Sequence, residues 1–451
     1  MTTIETNRPV PIVPGRAAGV GHLIELVRDP IGFLQSARTE GDIVRIFIGS
    51  APVYVMNSPE VIHRMLVSEA KKFRKGRLFD RATFFFGNGL LTSDGDFHLR
   101  QRRMVQPAFR SEYIAGWVGD ITRAANARIE AWRPGQRIDV LTEMQDLALD
   151  IAVDTLLATD LSPETRSKVH HASPLVVKGV ITQMAYPNWI PPWLPIPGNR
   201  KFHRACADLR SVFDEVLASI HAGASRGVDI FSLLCGAGDE ETGSRMDDTQ
   251  VKDEAVTILV AATETTATTL GWLCYELGRD PELQQRVREQ VVEVVGDRDV
   301  TYADLTKLTL LDHVVSETLR RHTPNWLLMR RTIEEVDLDG FVLPTNADVV
   351  YSPTTLHRDP DLYPDPMTFD PSRWENVRPH ALRSFVPFGA GRRKCIGDGF
   401  ARTELMASAA TLLKRRRLVL PPDVRVRETK LVGTVQPRGL RMVTEELRGQ
   451  K

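Results

Sequence analysis

The sequence predicts a mainly α-helical protein with small β-sheets, folded as a single large domain over residues 21–451 behind a flexible N-terminal tail at residues 1–20. Apolar residues recur at helical three- and four-residue spacing through most of the chain. β-rich runs are confined to two short stretches, and no repeat, low-complexity tract or linker interrupts residues 20–440. The 451 residues are 42% hydrophobic, with 58 basic against 58 acidic side chains, the profile of a globular protein with a large core. Zero net charge gives no global attraction for nucleic acid, so a charged partner must meet a local patch.

The N-terminal "MTTIETNRPVPIVPGRAAGVG" is polar and punctuated by proline, without an apolar signal region, and reads as a cytoplasmic chain with no membrane anchor. In "IVRIFIGSAPVYVMN", residues 43–57, two β-rich runs flank a Gly49-Ser50-Ala51-Pro52 turn signal, which predicts a hairpin. Ser58-Pro59-Glu60 then offers a capping serine and a proline at the first helical position, so a helix follows. "ITRAANARIEAW", "LALDIAVDTLLA" and "CADLRSVFDEVLASI" continue the helical series, and "FVLPTNADVVYSP" is the second β-like patch. Residues 185–199 hold five prolines and two tryptophans, which suits a rigid surface loop or an entrance lid for an apolar ligand.

Gly223, Ser225 and Gly227 match the G-x-S-x-G nucleophile elbow, but that elbow needs a strand before its serine and here a helical pattern precedes it. The stretch "VTILVAATETTATTLGWLCYEL" is more informative, because one acid, Glu264, lies inside an apolar, threonine-rich helix beside Thr265. A buried carboxylate is costly unless neutralised or paired, and such groups cluster at functional sites; an adjacent acid and alcohol suit a proton relay. The alternative is a polar cluster packed against a neighbouring helix. Glu317 and Arg320 share a face of a helix that stops before Pro324, an ordinary surface pair unless a third partner buries it. His98 and Arg102 stand one turn apart, with Asp96 available as a cap, and form either a donor pair for a cofactor carboxylate or a solvated basic face.

The four cysteines are far apart and lack C-x-x-C spacing, which argues against a disulfide scaffold and a structural zinc site. Cys395 stands in "SFVPFGAGRRKCIGDGF", behind Arg392, Arg393 and Lys394 and ahead of a helical pattern, with Gly389, Gly391 and Gly397 permitting a tight loop. Cations and a helix N-terminus both stabilise a thiolate. A thiolate that is the sole protein ligand points to haem iron, whose equatorial positions the macrocycle fills.

These residues resemble the cytochrome P450 superfamily. Phe388, Gly391, Arg393, Cys395 and Gly397 fill F-x-x-G-x-R-x-C-x-G, Glu317 and Arg320 fill E-x-x-R, and Ala261–Thr266 occupies the oxygen-binding stretch of the long helix. The resemblance implies the cytochrome P450 fold and a haem-thiolate monooxygenase carrying haem b on Cys395. Ala261, Phe388, Gly389 and Gly397 would line the cofactor, and His98, Arg102, Arg330 and Arg393 would hold its propionates. Glu264 and Thr265 would deliver protons, while Glu317, Arg320 and Arg373 would form a buried structural network. Ala262 stands where the family usually has glycine, narrowing the oxygen groove. Phe84, Phe85, Phe86, Met184, Trp189, Ala261, Thr265 and Trp326 are the implied pocket residues.

The likeness of "HLRQRRMVQPAFR" and "NWLLMRR" to bacterial terpenoid oxygenases of pentalenene type implies an apolar small-molecule substrate oxidised with dioxygen. Macrolide, polyketide or fatty-acid oxidation within the family, and a non-catalytic thiolate-haem sensor, are the alternatives. No G-x-G-x-x-G follows a strand, so a separate ferredoxin and its reductase would supply electrons to a monomer, with Lys394, Arg392 and Arg103 as docking cations.

Overall fold

The computed structural model describes residues 8–157, 161–185, 193–194, 196–223, 228–429 and 433–446. The chain divides into two compact units. One takes residues 1–80, 319–395 and 429–435; the other takes 81–318, 396–428 and 436–451.

In the first unit the expected hairpin forms from β1 (Ile43–Ile48) and β2 (Ala51–Met56), turning at Gly49 with φ +63°. Ser58 caps the short α3 (Pro59–His63) by accepting from the Val61 amide at 3.4 Å. With β3 (Phe73–Lys75), β5 (Leu328–Thr332) and β8 (Asp348–Tyr351), the hairpin builds a five-stranded sheet in the order β1-β2-β8-β5-β3. The β2–β8 pair is parallel and the other pairs are antiparallel. Period-two alternation sends Tyr54, Met56, Val349 and Tyr351 into one apolar cluster and Val53, Val55 and Val350 into another, so both faces of the sheet are covered. From residue 8 onward the expected flexible tail is tied to this sheet. Pro11 O accepts from the Arg45 amide at 2.8 Å and His22 bridges Val13 O and the Phe47 amide, while the Arg8 amide donates at 2.7 Å to Gly340 O in the turn of a separate two-stranded hairpin.

The second unit is helical. It holds most of α4 (Arg77–Phe86), then α5 (Gly95–Val105), α6 (Ser111–Glu130), α7 (Val140–Leu157), α8 (Pro163–Ala185), α9 (Pro197–His221), α10 (Ile230–Gly236), α11 (Asp248–Arg279) and α16 (Asp398–Arg415). A capping box starts α11: Asp247 accepts from the Gln250 amide at 2.8 Å, and the Gln250 side chain accepts from the Asp247 amide at 3.3 Å. The helix is apolar nearly all round because it packs against α7, α9 and α16 together. Strands β4 (Arg137–Asp139), β9 (Arg416–Val419) and β12 (Arg441–Glu446) form a small antiparallel sheet, and β10 (Arg427–Glu428) pairs with β11 (Pro437–Arg438). Among the described residues no helix is long and apolar enough to cross a membrane.

Candidate active site

In the first unit the loop ending at Cys395 is shaped by backbone geometry. The Gly389 amide donates to Val386 O at 3.0 Å, which closes a tight turn, and the Cys395 amide donates to Phe388 O at 2.8 Å, which closes the loop over residues 388–395. Gly389 (φ +68°) and Gly391 (φ +65°) occupy the left-handed region. At Gly391 a Cβ would stand 1.9 Å from the carbonyl oxygen of Leu66, so only glycine lets the loop lie against that backbone. Gly397 differs from expectation: its φ is −94°, and it serves as the N-cap of α16, 3.6 Å from Phe109 where a Cβ would be. Burial pushes the thiols of Cys206, Cys235 and Cys274 up to about 12, 11 and 12, which disfavours their thiolates, whereas Cys395 is exposed just ahead of α16.

A buried framework holds this loop. Arg320 is fully buried, as is Glu317 on the same helix, α14 (Thr309–Arg321), so neither belongs to a surface pair. The Arg320 guanidinium donates to His357 O at 2.7 Å, Pro366 O at 2.9 Å and Thr368 O at 3.3 Å, while Arg373 donates to Asp365 O at 2.9 Å. The two arginines thereby fix the 365–368 segment from its two ends. The His357 ring receives the Val386 amide on Nε2 at 2.9 Å, meets Thr323 through Nδ1 at 2.7 Å and stacks on Phe385. Burial, reinforced by Arg320, lowers the His357 pKa to about 3, so the imidazole stays neutral and Nε2 remains an acceptor. Sequence reasoning missed His357, whose partner lies 29 residues away with no local pattern to mark it.

In the second unit α11 presents Ala261 exposed and Glu264 and Thr265 half-buried. The Thr265 hydroxyl donates to Ala261 O at 2.7 Å, and Thr263 and Thr269 bond back one turn in the same way. Glu264 Oε1 accepts from Gln436 Nε2 at 3.1 Å. Thr266 is buried and hydrogen-bonds Glu404 of α16, whose carboxyl burial raises to about 8. Near the start of the helix Glu254 is likewise pushed up to about 8 by burial and accepts from the Leu90 amide at 2.9 Å. His98 is buried and Arg102 half-buried on α5. That helix begins at Gly95, with Asp94 in the N-cap position and Asp96 inside the first turn rather than capping it. Gln436, Glu404 and Glu254 also escaped the sequence reading; an acid inside the apolar runs "DEAVTILVAA" and "ELMASAATLL" was the signal for the two glutamates.

Other expectations divide. Arg103, read as a docking cation, is held by Asp239 at 2.9 and 3.0 Å, and that pairing lowers the Asp239 pKa to about 2. Trp326 packs into the core with Met329 and Val350, and Phe85 and Phe86 are buried against each other, leaving Phe84 exposed and Met184 half-buried. Lys394 is exposed and Arg392 half-buried. Gly223 follows α9, a helix and not a strand, while Ser225, Trp189 and residues 186–192 lie outside the described residues.

The chain matches the cytochrome P450 family model over residues 11–443. It belongs to the cytochrome P450 family. Cyclooctatin synthase of Streptomyces melanosporofaciens is 38% identical to this P450 over 439 residues, 96% of this chain and 95% of that protein. Cyclooctat-9-en-7-ol 5-monooxygenase of the same organism is 38% identical over 408 residues, covering 90% and 88%. Pentalenene oxygenase of Streptomyces avermitilis is 34% identical over 431 residues, covering 95% and 96%. This P450 is a monooxygenase, and the family's cofactor is haem b on a cysteine thiolate. The first unit fits a carboxylate-bearing macrocycle. Tyr351 Oη is buried with no hydrogen-bond partner among the described residues, on the same sheet face as Arg330, and lies 3.8 Å from where a Gly389 Cβ would be. A phenol and a guanidinium beside the thiolate loop are donors suited to a propionate.

Proposed function

We propose that this P450 oxidises an apolar, terpenoid-like hydrocarbon with electrons from a ferredoxin, that Cys395 is the haem ligand, and that Glu264 and Thr265 deliver protons. The observation that carries this reading is the Cys395 loop, an accessible thiol on a residue whose backbone amide is held by the Phe388 carbonyl, with Gly391 backed against Leu66. Haem supplies the oxidation of C–H by dioxygen, in which two electrons and two protons turn one oxygen atom into water while the other enters substrate. The protein's part is to hold the sulfur, orient the macrocycle and move protons. In the first unit, Arg330 and Arg393 would hold the propionates. The Thr265 hydrogen is committed to Ala261 O, so its lone pairs accept a hydrogen bond, and Glu264 one residue earlier supplies the proton. The relatives named for pentalenene, a hydrocarbon, and cyclooctat-9-en-7-ol, an alcohol, support a largely apolar terpenoid substrate, as do the exposed Phe84 and Ala261. Exposed Lys394 and half-buried Arg392 would meet an acidic electron carrier.

The reduced protein with carbon monoxide should show the strongly red-shifted Soret band of thiolate-bound haem, and a normal Soret position in folded protein would remove Cys395 as ligand. Thr265→Ala should divert reductant from product to hydrogen peroxide; unchanged coupling would remove the relay.

A further inference from the structure

The acid proposed to feed protons is held by a residue from the far end of the chain. Gln436 Nε2 donates to Glu264 Oε1 at 3.1 Å, across 172 residues of sequence. One residue later, buried Pro437 of β11 reaches α11 again, because a Cβ at Gly271 would meet Pro437 Cγ at 3.1 Å. Glu264 and Gly271 are seven apart, two turns of helix, and so share a face of α11. The segment entering β11 therefore runs along that face, anchored at Gly271 by shape and at Glu264 by a hydrogen bond. Half-buried Gln436 has no freedom to drift from the acid without lifting Pro437.

The chemistry of the partner is as informative as its position. A carboxamide carries both a donor N–H₂ and an acceptor C=O. When Glu264 is ionised the amide N–H can donate to it; when Glu264 carries its proton the amide C=O can receive the acid O–H. An ammonium or guanidinium could hold only the ionised state and would favour it. We propose that Gln436 is a positioning residue for proton delivery, holding Glu264 in one place through both protonation states of each cycle. This rests on Glu264 acting as the proton source.

The haem-loaded enzyme would be tested with pentalenene as probe hydrocarbon and a heterologous ferredoxin and reductase, comparing Gln436→Met, Gln436→Lys and Glu264→Gln. Gln436→Met keeps the length and loses both polar atoms, and Gln436→Lys keeps only donors. Both should leave the pentalenene dissociation constant and the carbon monoxide spectrum unchanged, lower the product formed per reductant about tenfold, and enlarge the solvent isotope effect. In the resting protein, without turnover, infrared difference spectra against Glu264→Gln should show the Glu264 carboxyl band broadened and displaced by Gln436→Met. Adding Gln436→Met to Glu264→Gln should cost nothing further if the two act as one unit. Full coupling in Gln436→Met, recovery of coupling by Gln436→Lys, or an unmoved carboxyl band would overturn the proposal. Full coupling in Glu264→Gln would instead overturn the proton-source reading beneath it.

Discussion

Glu404 and Glu254 are buried carboxyls whose proton is kept by the fold, and their titration runs opposite to that of a salt-bridged acid. Each has its folded pKa raised from 4.5 to about 8, chiefly by burial. Between pH 5 and 8 the folded chain retains protons that the unfolded chain has released, so stability falls as pH rises through this window and levels off above it. The slope is at most about 1.4 kcal/mol per pH unit for each group. Glu404→Gln, a neutral isostere that can still meet Thr266, should flatten that fall. Denaturant unfolding at pH 5.5 and 8 would check it, with the variant gaining on the parent at the higher pH; parallel losses in both would show that Glu404 is ionised in the fold. His357 illustrates the converse case: because it is kept neutral, its acceptor nitrogen stays available to the Val386 amide.

The turn after α4 docks on the start of α11 through backbone donors. The Asn88 and Leu90 amides each donate at 2.9 Å, to Asp253 and Glu254 respectively, while Arg210 of α9 joins Phe85 O at 2.8 Å and Asp253 at 3.5 Å. Gly87 makes the approach possible, since its φ is +54° and a Cβ there would stand 1.9 Å from Asp253 Oδ2. Gly87→Ala must therefore either move Asp253 or unseat the turn, in a backbone region where alanine is strained. We expect a loss of about 1–3 kcal/mol in unfolding free energy. Hydrogen exchange at Asn88 and Leu90 should quicken, and parental exchange rates would show that the turn is not held by this docking. Arg210→Met should quicken exchange around Phe85 while leaving Leu90 protected, because Leu90 depends on Glu254 alone among these partners.

The sheet of the first unit draws on both ends of the chain, joining β1–β3, complete by residue 75, to β5 and β8 beyond residue 327. Much of this was legible in the sequence. β-rich runs around a Gly-Ser-Ala-Pro turn signal marked the hairpin, a serine before proline marked a helix start, and the glycine-flanked Cys395 marked the loop, because each signal is local. The rest was not local. His357 and Gln436 matter through partners that no spacing rule connects, and exposed Arg103 is also paired, with an Asp239 that lies 136 residues away. Gly397 carried the right identity but a different task, since a motif fixes a residue and leaves its torsion open. Gly391→Ala tests the longest of these dependencies: it should reduce haem retention, read as the ratio of Soret to protein absorbance, and a parental ratio would mean the loop tolerates displacement from Leu66. The same close approach sets a schedule for synthesis. Leu66 is made 391 − 66 = 325 residues before Gly391. At about 5–20 residues per second the earlier half of that pairing waits on the order of tens of seconds for the later half. Seating of the Cys395 loop on Leu66 thus follows synthesis of residue 391, and a cell making this enzyme needs its cofactor supply matched to that later stretch instead of chain initiation.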